Sequence, residues 1–340
     1  MREQVRWAPG AFATWSSVAD RLRAQSARLM NAPAASDIAL LQNTSAALSI
    51  VAMGIDWKHG DNIVTSDEEF PANLVPWQAL NRRGVEVRMV TLKDGSRAPE
   101  ESLLAAADRN TRLLAVSSVQ FASGLRLDLA RLGDFCQVRD ICFCVDAIQA
   151  LGAVAQDVQE MNIDVLAAGA QKWLLGPEGV AMFYCHPRWR DRLALSQFGW
   201  HTRANALDFE THAWAPAADA RRFECGTPNT LGMHVLSASL DLLAETGLAV
   251  VESRVLERAR FLFDRLGGIP GIELVTDSRR DRHAGIVSFR SLHESSETLH
   301  RRLTGSGVVC VRRAGGIRFA PHFYTPWSGL ESAVACVADA

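Results

Sequence analysis

The chain has 340 residues, 48% of them apolar, and a formal net charge of −2 with acidic and basic residues interspersed. That length accommodates two domains or one large domain with an appendage, and the mixed, near-neutral charge leaves no electrostatic footprint for nucleic acid or an anionic membrane. No apolar run approaches membrane-spanning length, MREQVRWAPGAFATW has no apolar signal region, and the seven cysteines form no paired framework, so buried thiols in a reducing, cytoplasmic setting are expected. Cys142 and Cys144 alternate within an apolar run, which puts both on one side of a strand rather than in a zinc knuckle.

In chain order, residues 16–30 (SSVADRLRAQSARLM) read as an amphipathic helix with Val18, Leu22 and Leu29 on one side. A strand over 37–41 runs into NTSAALSIVAMGI, where Thr44 can cap a helix whose amino terminus, with free amides and a positive dipole end, suits a phosphate. Strands over 61–66, 85–92 and 112–119 follow, with a helix over 99–108 before the last, and a helix over 129–139 leads into ICFCVDAIQALGAVAQDVQEMNIDVLAAGAQKWLLGPEGVAMFY. This stretch holds three short apolar runs, 141–147, 163–168 and 180–184, each suited to a strand buried on both faces. Seven strands interleaved with helices predict a largely parallel sheet. Beyond an aromatic-rich loop over 196–222, helices are expected over 230–245, 250–266, 297–303 and 328–338, and strands over 273–276, 285–289 and 308–312.

Ligands of open α/β sheets bind at the carboxyl ends of strands. Asp146 closes the first run of the central stretch with Gln149 just beyond, and Gln171-Lys172 closes the second before a Gly-Pro turn. Pyridoxal phosphate needs an amine for its aldehyde, an anion to keep its ring nitrogen protonated, and donors for its phosphate and phenolic oxygen. Lys172, Asp146 and Gln149 meet that need together, although each alone is as well read as a surface lysine, a strand-end aspartate and an ordinary glutamine.

VDAIQALGAVAQDV and DVLAAGAQKWLLGPEGVA strongly resemble the class V aminotransferase family of fold-type I pyridoxal-phosphate enzymes, which includes cysteine desulfurases, selenocysteine lyases, kynureninases and isopenicillin-N-epimerase-like proteins; the resemblance runs over residues 37–324. It implies an α/β fold with a seven-stranded, largely parallel sheet and helices on both faces in a large cofactor-binding domain (16–246), plus a small C-terminal α/β domain (247–340, with 1–15 packing nearby). By the same resemblance Lys172 holds pyridoxal phosphate as an internal aldimine and then serves as the base at the α-carbon, while Asp146 pairs with the ring nitrogen. Partial desolvation beside a cationic group would lower the lysine pKa as that base requires. Gln149 and Gln171 would bond cofactor oxygens, Thr44 with Ser45 would grip the phosphate, and Phe70 would stack on the ring. Gln120, with Phe121 one residue along as the alternative, would lie near the phenolic oxygen or the substrate. Thr227, in FECGTPNTLG, would reach the phosphate of the neighbouring subunit's cofactor, which implies a homodimer. Arg318, in GIRFAPHFY, would bind the α-carboxylate of an amino-acid substrate, in preference to Arg312 and Arg313, because a planar guanidinium offers two parallel donors. No metal is implied.

Departures from the family bear on activity. Cysteine desulfurases carry a persulfide cysteine on a loop shortly before the carboxylate arginine; here that loop reads RRAGG, and Cys310 falls on the strand before it. Phe70 stands where desulfurases more often have histidine, and the Ser-x-His-Lys segment appears as Gly169-Ala170-Gln171-Lys172, at a loss of about 1 kcal/mol per missing hydrogen bond. The Asn-His or Asn-x-Gly motif that lines the pocket in family members is not seen before Trp15, which implies a more open pocket or a displaced start. Trp200 and His201 either line the site or pack within their loop. The expected function is a pyridoxal-phosphate enzyme acting on an α-amino acid, with transamination first and C–S lyase or desulfurase-like β-elimination and epimerisation as alternatives. A non-catalytic cofactor-binding homodimer is the alternative outside enzymes. No Gly-x-Gly-x-x-Gly follows the first strand, which disfavours a dinucleotide dehydrogenase.

Overall fold

Each part of the protein is organised around a sheet with buried central strands. The computed structural model describes residues 12–93, 97–210 and 212–338, so any part played by residues 1–11 lies outside the described residues. Two compact units are formed: one from the described residues up to 117 with 128–151 and 156–245, the other from 118–127, 152–155 and 246 onward.

The first unit is built on seven strands: β1 (Ile38–Leu41), β2 (Asn62–Ser66), β3 (Glu86–Val90), β4 (Thr111–Ser117), β5 (Cys142–Asp146), β6 (Val165–Gly169) and β7 (Ala181–Cys185). They lie in the order β1-β7-β6-β5-β4-β2-β3, and β7 alone runs against the rest. Every residue of β5, β6 and β7 is buried. This is why their sequences do not alternate, since a strand covered on both faces has no polar side. Against one face, helix Thr44–Gly54 packs through Ala47, Leu48 and Val51 in a core with Cys144, Ala167, Phe183 and Trp77.

Helix Thr44–Gly54 begins differently from expectation. Its cap is Asn43, in an extended conformation, with the side-chain oxygen accepting from the Ala46 amide at 2.8 Å. Thr44 is therefore the first helical residue, and its hydroxyl is released to accept from the Gly169 amide of β6 at 2.9 Å. Turns follow β5 over 148–153. A buried ion pair ties the amino-terminal helix Phe12–Leu29 to the sheet: Arg23 donates twice to Glu224, at 2.8 and 2.7 Å, and Glu224 also accepts from the Leu40 amide of β1 at 2.9 Å.

The second unit has a four-stranded antiparallel sheet in the order β10-β11-β9-β8, formed by β8 (Ile272–Leu274), β9 (Val287–Ser291), β10 (Val311–Arg313) and β11 (Gly316–Phe319). Helices Leu248–Gly267, Ser296–Gly305 and Trp327–Ala338 pack on it around Leu262, Phe289, Leu303, Ile317, Phe319 and Val334. Strand β11 was not separated in the sequence, because a two-residue turn, Ala314-Gly315, joins it to β10 with both residues at positive φ (51° and 73°). That turn geometry matches the right-handed twist of the strands it connects. Gly316 starts β11 because a Cβ there would stand 2.0 Å from the Phe289 carbonyl oxygen. Among the described residues no single helix is long and apolar enough to cross a membrane, and no histidine, cysteine or carboxylate group is clustered so as to hold a metal.

Candidate active site

Strands β6, β5, β4 and β2 are consecutive neighbours and parallel, so their carboxyl ends open side by side. Asp146 is the last residue of β5 and pairs in register with Ser117 on β4 and Ala167 on β6. Lys172 follows β6 in a tight turn closed by the Gly176 amide on the Ala170 carbonyl at 2.9 Å. Its Nζ lies 5.8 Å from the centroid of the Phe70 ring, on the segment that leaves β2. Thr44, bonded to the end of β6, places the amino terminus of helix Thr44–Gly54 beside the same turn. Ser45 follows in the first turn of that helix and is exposed.

Asp146 is only 2% exposed. Its carboxylate accepts from the Ile148 amide at 3.0 Å. Burial pushes its pKa up to about 7; the Ile148 bond opposes the rise, the Glu69 carboxylate adds to it, and Lys172 opposes it. A carboxyl dried out in this way binds a proton, or a cationic N–H, far more readily than one in water. With an amine at Lys172, an exposed aromatic face at Phe70 (43% exposed) and an open helix amino terminus, these residues fit a group carrying an aldehyde, a protonated ring nitrogen and a phosphate.

The remaining expected residues fall in different settings. Gln149 is buried and sits in the turns after β5, while Gln171 is exposed. Gly169 and Gln171 are coupled: a Cβ on Gly169 would meet Gln171 Oε1 at 2.5 Å, so the glycine in place of the family's serine gives the glutamine its room. Thr227 is exposed on the segment between β7 and helix Thr230–Thr246, whose start is held by Asn229 accepting from the Gly232 amide at 2.9 Å. His201 lies 3.4 Å from Glu224 and, with Trp200 and Arg23, lines a cavity of about 330 Å³; burial holds its imidazole pKa down.

Gln120 and Arg318 belong to the second unit. Gln120 is fully buried, with its backbone fixed by a bond from its amide to the Leu125 carbonyl at 2.8 Å. Arg318 Nη1 donates to the Phe121 carbonyl at 2.5 Å, and its Nε is buried with no hydrogen-bond partner. Arg312 and Arg313 are exposed on the hairpin.

One residue had no role in the sequence reading. Glu69 is buried, and its carboxylate accepts from Ser66 Oγ (3.0 Å), Asn73 Nδ2 (2.8 Å), Ser117 N (2.8 Å) and Ser117 Oγ (2.5 Å). The only trace of it in the sequence is an acid and an amide spaced i, i+4 just after a strand, which reads equally well as a solvated loop.

Comparison with known proteins agrees with the fold and the resemblance. The family profile described as aminotransferase class-V matches residues 10–326. A probable cysteine desulfurase of Methanothermobacter thermautotrophicus is 29% identical over 276 residues, covering 81% of this chain and 68% of the relative. An uncharacterized aminotransferase of Bacillus subtilis is 29% identical over 310 residues, covering 88% and 77%. Among solved structures, the cystine C–S lyase C-DES in complex with its product cysteine persulfide superposes with a TM-score of 0.90 at 24% identity, covering 99% of this chain and 90% of that one.

Proposed function

Since the chain belongs to the class V aminotransferase family, we propose that it is a pyridoxal-phosphate-dependent C–S lyase that releases sulfur by β-elimination from a sulfur-containing α-amino acid. Transamination, the first expectation from the sequence, gives way because relatives and structural neighbours are predominantly proteins that break C–S bonds. The observation that carries the reading is the β10–β11 hairpin: two residues, Ala314 and Gly315, form its turn, and no cysteine lies between Val311 and Arg318. A lyase that expels a persulfide or thiolate directly needs no such cysteine, whereas a desulfurase needs one to accept the sulfur.

When bound, pyridoxal phosphate supplies an aldehyde that amines can hold and a ring that accepts electron density. The chain's residues divide the remaining work. Lys172 holds the cofactor and afterwards takes the proton from the substrate α-carbon, within a turn whose backbone bonds limit its travel. Asp146 keeps the proton on the ring nitrogen, a task suited to a buried carboxyl with raised proton affinity. Thr44 and Ser45 present hydroxyls and amides to the phosphate, with Gln149 and Gln171 as further cofactor contacts. Phe70 supplies a flat apolar face that transfers no proton. In the second unit, Arg318 is the carboxylate ligand and Gln120 the polar contact; the buried Nε of Arg318 is a donor awaiting an acceptor. With cystine and one water the balanced products are cysteine persulfide, pyruvate and ammonia.

A homodimer with Thr227 reaching the partner's cofactor goes with this reading. It is supported by the exposure of Thr227 and of Phe198, Phe209 and Trp214 on the preceding loop, an apolar surface that a second copy would cover. Residues 16–246, apart from 118–127 and 152–155, would then form the cofactor domain, and 247–340 with those two segments the small domain. Four buried free thiols, Cys136, Cys142, Cys144 and Cys185, support a cytoplasmic location. The test is to incubate protein and pyridoxal phosphate with a panel of amino acids that includes cystine. Pyruvate with persulfide sulfur is the expected result. The substrate's own keto acid appearing with a consumed amino acceptor, and no pyruvate, would return the assignment to transamination.

A further inference from the structure

We propose that Glu69 is the positioning residue of the cofactor site, its buried carboxylate fixing the Phe70 face to the strand ends and placing a second negative charge behind Asp146. The inference rests on the pyridoxal-phosphate reading above. Glu69 joins three pieces of chain that end at the site. Ser66 is the last residue of β2, Ser117 is the last of β4, and Asn73 lies in the short 3-10 turn Pro71–Asn73. Asn73 is itself fixed, because its side-chain oxygen accepts from Nε1 of the fully buried Trp77 at 3.1 Å. Phe70 is thus flanked by a four-bonded carboxylate on one side and Pro71 on the other, which explains how a large apolar ring is kept exposed and in place.

The charge follows from the same bonds. Ser117, which donates twice to Glu69, is the register partner of Asp146 on the adjacent strand. Glu69 is thus bonded to the residue that pairs with Asp146, and its carboxylate adds to the proton affinity of Asp146. A cationic group bound at Asp146 would feel both charges. Ser66, Asn73 and Ser117 hold both oxygens of the Glu69 carboxylate in place by donating to them.

The experiment uses pyridoxal phosphate as the probe and the pH dependence of the near-visible absorbance of the lysine-bound cofactor as the readout. A parent protein that forms no such band refutes the cofactor reading itself. Given the band, Glu69→Gln, close in shape but neutral, should lower its apparent pKa by about half a unit to one unit, the effect of removing one partly screened charge within a short distance. Glu69→Asp and Ser117→Ala both retain a carboxylate and should stay near the parent value. An unchanged pKa in Glu69→Gln, or an equal fall in Ser117→Ala, overturns the proposal. Should Glu69→Gln not fold, Ser117→Ala and Asn73→Ala still decide the matter. Each should weaken cofactor binding about threefold or more, roughly one lost hydrogen bond, with the apo melting temperature within a few degrees of the parent, and unchanged affinity in both overturns it.

Discussion

Replacing Asp146 by asparagine tests the electrostatics of the site without any substrate. Asparagine keeps the shape and an oxygen for the Ile148 amide, so the variant differs from the parent chiefly in charge. The ordinary carboxyl value is 3.8, against about 7 for Asp146 in the fold. Because the folded value is raised, the native state binds a proton that the unfolded chain has already released. The contribution to stability is therefore full below the unfolded value and lost as pH rises through the folded one. Between about pH 5 and about pH 8 the loss is about 2–3 kcal/mol from this residue, since most of a three-unit shift is traversed in that window. The assay is urea unfolding of the apo protein at several pH values, for parent and Asp146→Asn, with the difference between the two curves taken so that groups common to both, such as Asp164 with its own raised pKa, cancel. The parent should weaken relative to the variant as pH rises. A flat difference across the window would mean that Asp146 ionises freely in the fold, and the account of a dried-out carboxyl would be wrong.

Other expectations follow from single contacts. Lys172→Ala should remove the near-visible absorbance that pyridoxal phosphate gives with the parent; retention of the band would place the linkage at another amine. Arg318→Ala should raise KM for α-amino acids by about a hundredfold, as loss of a charge-assisted pair does, while the affinity for pyridoxal phosphate stays within about twofold; equal parent activity on amino acids and the matching decarboxylated amines would count against the arginine. Arg23→Ala leaves Glu224 buried without its principal cation, the two side chains being 6% and 4% exposed, and should cost about 3–5 kcal/mol in denaturant unfolding. A cost below about 1 kcal/mol there would mean that water reaches the pair.

Much of the fold was legible along the chain because its signals are local. Doubly buried strands leave unbroken apolar runs, as in CFCVD and VLAAG, and the seven strands of the first sheet were all anticipated to within a few residues. The placement of Asp146 and Lys172 at strand ends was legible for a related reason: polar residues closing apolar runs mark strand ends, and strand ends are where an α/β sheet offers a site. Where the signal was a single residue, the sequence misled. Asn43 and Thr44 are both competent caps, and the choice fell to Asn43 because the Thr44 hydroxyl has a partner in Gly169, 125 residues away. Strand β11 was hidden because its turn is only two residues long.

By itself the sequence determined the class of fold, the family and the residue types available to a cofactor, because periodicity, burial and motif spacing are written in neighbouring positions. Only the tertiary structure decided which of those residues share a strand end, how dry each one is, and which distant groups fix it. Glu69 shows the difference: its meaning lies in Ser117, 48 residues further on, and in the register that sets Ser117 beside Asp146. Such a relation exists only once parallel strands have paired, since it is the order of strands in the sheet and not their order in the chain that makes these carboxylates neighbours.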